Sequence, residues 1–256
     1  MKKTTLNIVK YAIIFLIIPA VILFDAILFK GKRYMAASVI AAVLSCVPFF
    51  IVFEKRKYAA RELAVIAVMS AISVAGRVIF APIPGFKPVA AIVIITGACF
   101  GAEAGFITGG MSALASNVFF GQGPWTPFQM FSWGIIGFFA GVIFYGKNFQ
   151  KKGVSFLFMI LYGVLAGPLF SLLMDVYTVI SVSGAFLWKE YLAFCVSALP
   201  FTAEYAISNA LFLAVLIAPL TLAADRLKTK YGVFSPEPPP TLNDCEHTDE
   251  NFSENV

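Results

Sequence analysis

Charged residues are scarce in this 256-residue chain, where they make up 13% of the sequence, whereas soluble domains average roughly 25%. Histidine occurs once, at His247, and the four cysteines show no spacing typical of a disulfide framework or a zinc site. A histidine-dependent catalytic triad and a histidine-rich metal centre are therefore excluded from the apolar part of the chain. No Gly-x-x-x-x-Gly-Lys-Ser/Thr loop is present, so the sequence supplies no P-loop ATPase.

Hydrophobic residues account for 60% of the sequence, and the mean hydropathy is +0.87. These values predict an all-α integral membrane protein, because a membrane-spanning helix needs roughly 20 consecutive apolar residues. Eight such segments, two of them short, are found at 11–29, 34–53, 63–80, 88–101, 105–120, 128–145, 154–180 and 200–224.

Lysine and arginine predict the orientation of these helices. Most of the 19 basic residues fall on one side if the N-terminus is cytoplasmic, so the positive-inside rule places both termini in the cytoplasm of a multi-pass cell-membrane protein. The net charge of +5 then reflects topology and not nucleic-acid binding. We predict three parts: a two-helix hairpin with basic flanks (1–60), a six-helix domain (61–230), and a disordered, Pro-rich acidic cytoplasmic tail (231–256).

Polar side chains inside the predicted spans are the candidate functional residues, because a charge there costs roughly 2.5 to 3.5 kcal/mol unless it is paired or faces water. They concentrate toward the predicted outer ends of the helices and predict an outward-facing ligand pocket. The ligand-binding candidates are Asn117, Gln122, Trp125, Gln129, Trp133, Glu204 and Asn209. Arg77 and Asp175 are predicted as structural or binding charges.

Simpler interpretations of these residues remain open. Asp175 or Glu204 alone is equally consistent with an anchor in the headgroup region, and Arg77 with a salt bridge to one of these acids. The tryptophans are also typical of an aromatic belt at the membrane surface. Nearly all of the polar residues lie toward the outer side of the membrane, and this convergence favours a ligand pocket over separate anchors.

Small residues recur at every fourth position in the third predicted span, as Ala67, Ala71 and Ala75. Such a stripe lets two helix backbones approach closely, which is one of the few sources of helix association in lipid. We therefore predict that these three alanines form a docking face for another protein.

Residues 61–228 resemble the substrate-binding S component of an energy-coupling factor (ECF) transporter. The resemblance is carried by the alanine stripe, by the short Gly-rich helices around residues 97–110, and by the loop at 121–127, which is most similar to cobalamin-type members. It implies a six-helix core preceded here by two additional transmembrane helices. It also implies capture of a vitamin, cobalamin favoured, from outside, with no catalytic cofactor and no metal. The implied partners are a transmembrane coupling subunit and two cytoplasmic ATPases, with the lipid bilayer as surroundings.

Two other classes of membrane protein are alternatives to this interpretation. A stand-alone secondary transporter would show an inverted repeat with broken helices at the midplane, and no convincing repeat is found in the sequence. A membrane-embedded enzyme would need a catalytic pair such as Asp175 and Glu204, but no motif surrounds either residue.

Overall fold

The computed structural model describes residues 11–28, 40, 59–147, 153–184 and 186–234. Every regular element in these ranges is a helix, which confirms the predicted all-α class. A π-helical segment (Ile13–Ile17) continues into α1 (Ile18–Leu28), and the remaining helices are α2 (Ala59–Ile79), α3 (Val89–Phe100), α4 (Ala102–Phe120), α5 (Thr126–Phe144), α6 (Val154–Ser183), α7 (Trp188–Ser197) and α8 (Leu199–Tyr231).

Four of these helices, α2, α5, α6 and α8, are long and apolar enough to cross a membrane. The predicted second span at 34–53 lies outside the described residues except for residue 40, so the predicted hairpin at 1–60 is seen only in part. Helix α7 was not predicted from the sequence. Its first turn contains Lys189 and Glu190, and these two charged residues interrupt the run of apolar residues from which a membrane-spanning helix is predicted.

Helix α3 forms the centre of the bundle. All of its residues are buried, and it contacts α2, α4, α5, α6 and α8. Its 12 residues rise about 18 Å, well short of a hydrocarbon core roughly 30 Å thick. Pro88 precedes the helix, and Gly101, with φ of 101°, joins it directly to α4. The chain therefore reverses within one residue, a turn for which glycine is suited.

Glycines bring the backbones of α3, α4 and α5 into direct contact. A Cβ atom added to Gly97 or to Gly105 would overlap the carbonyl oxygen of Gly137, and one added to Gly137 would overlap the carbonyl oxygen of Gly105. Each of the three helices therefore contributes one glycine to a shared contact, which we call the glycine contact (Gly97, Gly105 and Gly137). No side chain larger than hydrogen fits there without separating the helices.

The C-terminal end of α8 is followed by an ordered turn. Gly232 caps the helix, and Val233 and Phe234 are buried. The Phe234 N–H donates to Glu62 Oε1 of α2 at 2.6 Å, and the Phe234 ring lies 4.9 Å from the Phe100 ring of α3. The described chain thus includes residues 231–234 of the predicted tail, and the side chains of Val233 and Phe234 are buried there. Residues 235–256 of the predicted tail lie outside the described part.

Replacing Gly137 with alanine should destabilise the protein by about 1 to 3 kcal/mol, because the new methyl group overlaps a backbone carbonyl that cannot move alone. Gly134→Ala is the matched control on the same helix. Its added Cβ would lie 3.0 Å from the Phe106 ring and 3.2 Å from the Phe106 carbonyl oxygen. Thermal unfolding in detergent should show the larger loss for Gly137→Ala. Equal losses of stability in the two variants would show that the contact between helix backbones at Gly137 contributes no more than ordinary side-chain packing.

Candidate ligand-binding cavity

A cavity of about 190 Å³ lies at the end of the bundle where α2 finishes and α3 and α8 begin. Its apolar wall is aromatic, and its polar lining comes from three helices and the α2–α3 loop. The aromatic residues are Trp133, Phe170, Phe201 and Tyr205, and the others are Arg77, Gly85, Lys87, Gln129 and Ser171. We call this the Arg77 cavity. It is smaller than the roughly 300 to 1,000 Å³ of typical ligand sites, so a ligand of ordinary size requires its wall to open.

The aromatic wall joins α5, α6 and α8. Trp133 Nε1 donates to the Tyr205 hydroxyl oxygen at 2.7 Å, which satisfies the indole N–H. The Trp133 and Phe170 rings are stacked, with centroids 5.4 Å apart and planes at 16°. The Phe170 and Tyr205 rings follow at 5.1 Å. A flat aromatic ligand is the natural complement of such a surface, because offset stacking adds stabilisation beyond area burial.

Arg77 begins a hydrogen-bond network behind the cavity. Its Nη1 donates to Ser116 Oγ and, at 2.8 Å, to Asn117 Oδ1. Asn117 Nδ2 in turn donates to Thr126 Oγ1 and to Gln129 Oε1, both at 2.9 Å. The network therefore uses the carbonyl oxygen of Gln129. In the described part of the chain the Gln129 NH₂ group makes no hydrogen bond, and it belongs to a residue that lines the cavity.

Some of the predicted ligand-binding residues meet at this cavity. Gln129 and Trp133 line it together with Arg77, and Asn117 lies directly behind them. Glu204 lies beside Gly85 at the rim and is exposed. The structure thus brings together residues from α2, α4, α5 and α8 whose positions in the sequence are far apart.

Other predicted residues lie elsewhere. Gln122 donates to the Leu114 carbonyl oxygen at 2.8 Å and accepts from Thr126. The Trp125 ring packs against Gly123. Gln122 and Trp125 therefore stabilise the α4–α5 loop. Asn209 is buried and donates to the Gly163 carbonyl oxygen at 3.1 Å, where it joins α8 to α6. None of these three lines the Arg77 cavity.

The two predicted structural or binding charges are separated. Arg77 lines the cavity, whereas Asp175 lies on α6 near the Cys195 thiol and the Tyr191 hydroxyl of α7. The Arg77 guanidinium is hydrogen-bonded to neutral side chains and not to Asp175 or Glu204. The salt bridge considered from the sequence is therefore absent among the described residues.

Sequence reasoning missed Lys87, Phe170, Ser171 and Phe201. Lys87 had a usable signal, since it is a basic residue in a short loop on the side predicted to be poor in positive charge. Phe170 and Phe201 had no such signal. The chain has 27 phenylalanines, and the sequence does not distinguish one that lines a cavity from one that faces lipid or the core. Only packing identifies Phe170 and Phe201 as residues that line the Arg77 cavity.

A second surface lies on the other side of α2. Ala67, Ala71 and Ala75 are exposed and line an apolar groove of about 670 Å³ whose opposite wall is α4, including Met111 and Phe119. We call this the alanine groove. The opposite face of α2 is buried and carries Glu62, Ser73 and Arg77. One helix therefore presents small apolar residues outward and polar residues inward.

A multi-pass helical bundle with an aromatic and polar cavity at one end defines a membrane protein with a candidate small-molecule site. Residues 57–226 match the family described as ECF-type riboflavin transporter, S component. The match covers about two thirds of the chain, so the chain belongs to this family. No curated protein and no solved structure shows a significant match.

Family membership settles the broad class. The chain is a component of a membrane transporter and not an enzyme, and the membership confirms the predicted S component. Its ligand is a transported vitamin, and no catalytic cofactor is expected. The family implies association with an ECF module of ATPases and a transmembrane subunit. The cobalamin-type subclass expected from the loop at 121–127 is not supported by the match, which is to the riboflavin-type family.

Asn117→Leu should destabilise the protein by roughly 1 to 3 kcal/mol, because it removes one of the two acceptors of the buried Arg77 Nη1 and the donor to Gln129 Oε1. Asn117→Asp is the comparison variant, since it loses the NH₂ donor but keeps an acceptor for Arg77 and adds a negative charge that pairs with the guanidinium. Thermal unfolding in detergent should rank the leucine variant as the less stable. If the two variants unfold alike, the Arg77 contact contributes little.

Proposed function

We propose that this chain captures a flavin, with riboflavin as the reference ligand, in the Arg77 cavity and passes it to an ECF module for import. The observation that carries the proposal is the aromatic wall, in which Trp133, Phe170 and Tyr205 form a continuous surface beside Gln129. A tricyclic ring system stacks on such a wall and accepts or donates hydrogen bonds at its edge. The printed description of the family supports the same ligand class.

The size of the cavity argues against cobalamin, the ligand favoured from the sequence. A corrin macrocycle with its axial base is several times bulkier than a flavin ring system. The described volume of about 190 Å³ is already below the common range for small ligands. Accommodating a flavin requires local opening of the α2–α3 loop, whereas a corrinoid would require the helices themselves to separate.

The Arg77 cavity is proposed to face the outside of the cell. Arg61, Lys147 and Lys228 lie at the opposite end of the bundle, where α2 begins and α5 and α8 end. Positive residues concentrate on the cytoplasmic side of membrane proteins. The C-terminal turn at Phe234 lies at this same basic end, and the proposed orientation therefore puts it on the cytoplasmic side.

The alanine groove is proposed to receive the transmembrane coupling subunit. Its lining is apolar and includes all three alanines of the stripe, so a partner helix can approach the α2 backbone closely. The sequence has no P-loop, and ATP-driven import therefore depends on ATPases supplied by the partner module.

Titration of riboflavin into the detergent-purified protein should show saturable binding, followed by quenching of flavin fluorescence, whereas cobalamin should not compete. Trp133→Ala and Gln129→Leu should each weaken binding by roughly 5- to 150-fold, the range expected for a lost buried contact. Trp188→Ala is the matched control, because Trp188 is 70% exposed and does not line the cavity. Cobalamin binding without flavin binding would overturn the ligand assignment.

Ala71→Trp should abolish ATP-driven uptake in cells that contain the ECF module while leaving ligand binding by the isolated chain intact, because the bulky ring fills the alanine groove and not the cavity. Val68→Trp is the control on the same helix: Val68 is 56% exposed but does not line the groove. Normal uptake by the Ala71 variant would show that the groove faces lipid only.

A further inference from the structure

The Arg77 cavity contains two positive side chains and no negative one. Arg77 and Lys87 both line it, and no carboxylate is among its described lining residues. The acids on neighbouring elements are placed differently. Glu204 is exposed beside Gly85 at the rim, and Asp175 lies near Cys195 of α7. The interior of the cavity therefore carries an excess of positive charge that the described residues do not neutralise.

Arg77 is a buried cation with an unpaired N–H group. The residue is only 8% exposed, and its Nη1 makes both hydrogen bonds, to Ser116 and Asn117. Its Nε is buried and has no hydrogen-bond partner in the described part of the chain. The guanidinium carbon lies 4.6 Å from the centre of the Phe120 ring and 5.1 Å from that of Trp133, which offsets part of the cost of burial. A buried cation without a counter-charge is nevertheless unfavourable.

Lys87 is held close to Arg77 by its backbone. Its N–H donates to Ser208 Oγ at 2.9 Å, and the same hydroxyl donates back to the Lys87 carbonyl oxygen at 3.3 Å. These bonds fasten the α2–α3 loop to α8 and do not depend on the lysine side chain. Burial, and then repulsion from the Arg77 guanidinium, lower the pKa of Lys87. Two like charges are thus kept near one another, an arrangement that a bound anion would stabilise.

We propose that Arg77 and Lys87 form an anion subsite, and that the preferred ligand of this cavity is a flavin carrying a phosphomonoester, not the neutral vitamin. In this arrangement the flavin ring packs against the aromatic wall of Trp133, Phe170 and Tyr205, and the phosphate accepts hydrogen bonds from the two cations. The inference rests on the proposed flavin function and adds the charge of the ligand to it.

The test compares riboflavin, riboflavin 5′-phosphate and inorganic phosphate as probes of the purified full-length protein. Riboflavin 5′-phosphate should bind about tenfold or more tightly than riboflavin, the size expected for a charge-assisted hydrogen bond. Inorganic phosphate should compete only weakly, because it lacks the ring that stacks on the aromatic wall. Equal affinities for the two flavins would overturn the anion subsite and leave the proposed function standing.

Two variants assign the preference to these residues. Arg77→Gln and Lys87→Met should each reduce the preference for the phosphorylated flavin, measured as the ratio of the two flavin affinities in the same variant. Lys87→Met keeps the backbone bonds to Ser208, so it remains informative if Arg77→Gln does not fold. Lys189→Gln is the charge-matched control, since Lys189 is exposed on α7 and does not line the cavity.

The remaining outcomes separate this inference from the proposed function. A preference for the phosphorylated flavin that survives in both variants would overturn the assignment to Arg77 and Lys87. Failure of both flavins to bind, with inorganic phosphate binding in an Arg77-dependent manner, would support the anion subsite and overturn the flavin function. Failure of all three probes would overturn both.

Discussion

Direct contact between helix backbones at Gly97, Gly105 and Gly137 is the constraint on which the rest of this structure depends. In lipid there is no hydrophobic force to bring helices together, so close packing of small residues is a principal source of association. The contact sets α3 and α4 against α5 at Gly137, and every residue of α3 is buried. Asn117 on α4 is consequently within hydrogen-bonding distance of Thr126 and Gln129 on α5.

Helix α2 connects the two proposed functions of the chain. Its buried face contributes Arg77 to the cavity, and its exposed face contributes the alanines of the groove. A partner that moves or tilts α2 would therefore act on the lining of the ligand site directly. Because Arg77 is bonded through Asn117 to Gln129, such a movement would reach α5 as well. In the proposed function, the ligand site and the docking surface therefore share one helix.

The helical membrane class and some candidate residues of the site could be predicted from the types of residue and their positions in the sequence. Low charge and long apolar runs predict a helical membrane protein. In lipid every backbone N–H and C=O group needs a partner within the protein, and apart from a closed β-barrel only a helix provides these partners. The cost of burying polar groups singled out Arg77, Asn117 and Gln129 as candidates, and hydrogen bonds link these three residues in the structure. Their role in ligand binding stays a prediction. The same rule also selected Asn209, which is buried for a different reason: it satisfies a carbonyl oxygen of α6. Cost of burial does not distinguish a helix-joining residue from a ligand-binding one.

The sequence by itself determined that the chain spans a membrane, which residues are too polar to face lipid, and that α2 carries a stripe of small residues, since these depend only on composition and helical spacing. Tertiary structure alone decided which aromatic residues line the cavity, that Arg77 and Lys87 share it, and that Asp175 lies elsewhere. It also decided that Val233 and Phe234 belong to the folded part. These features depend on which helices meet and on how each helix is rotated about its axis, and only long-range packing decides both.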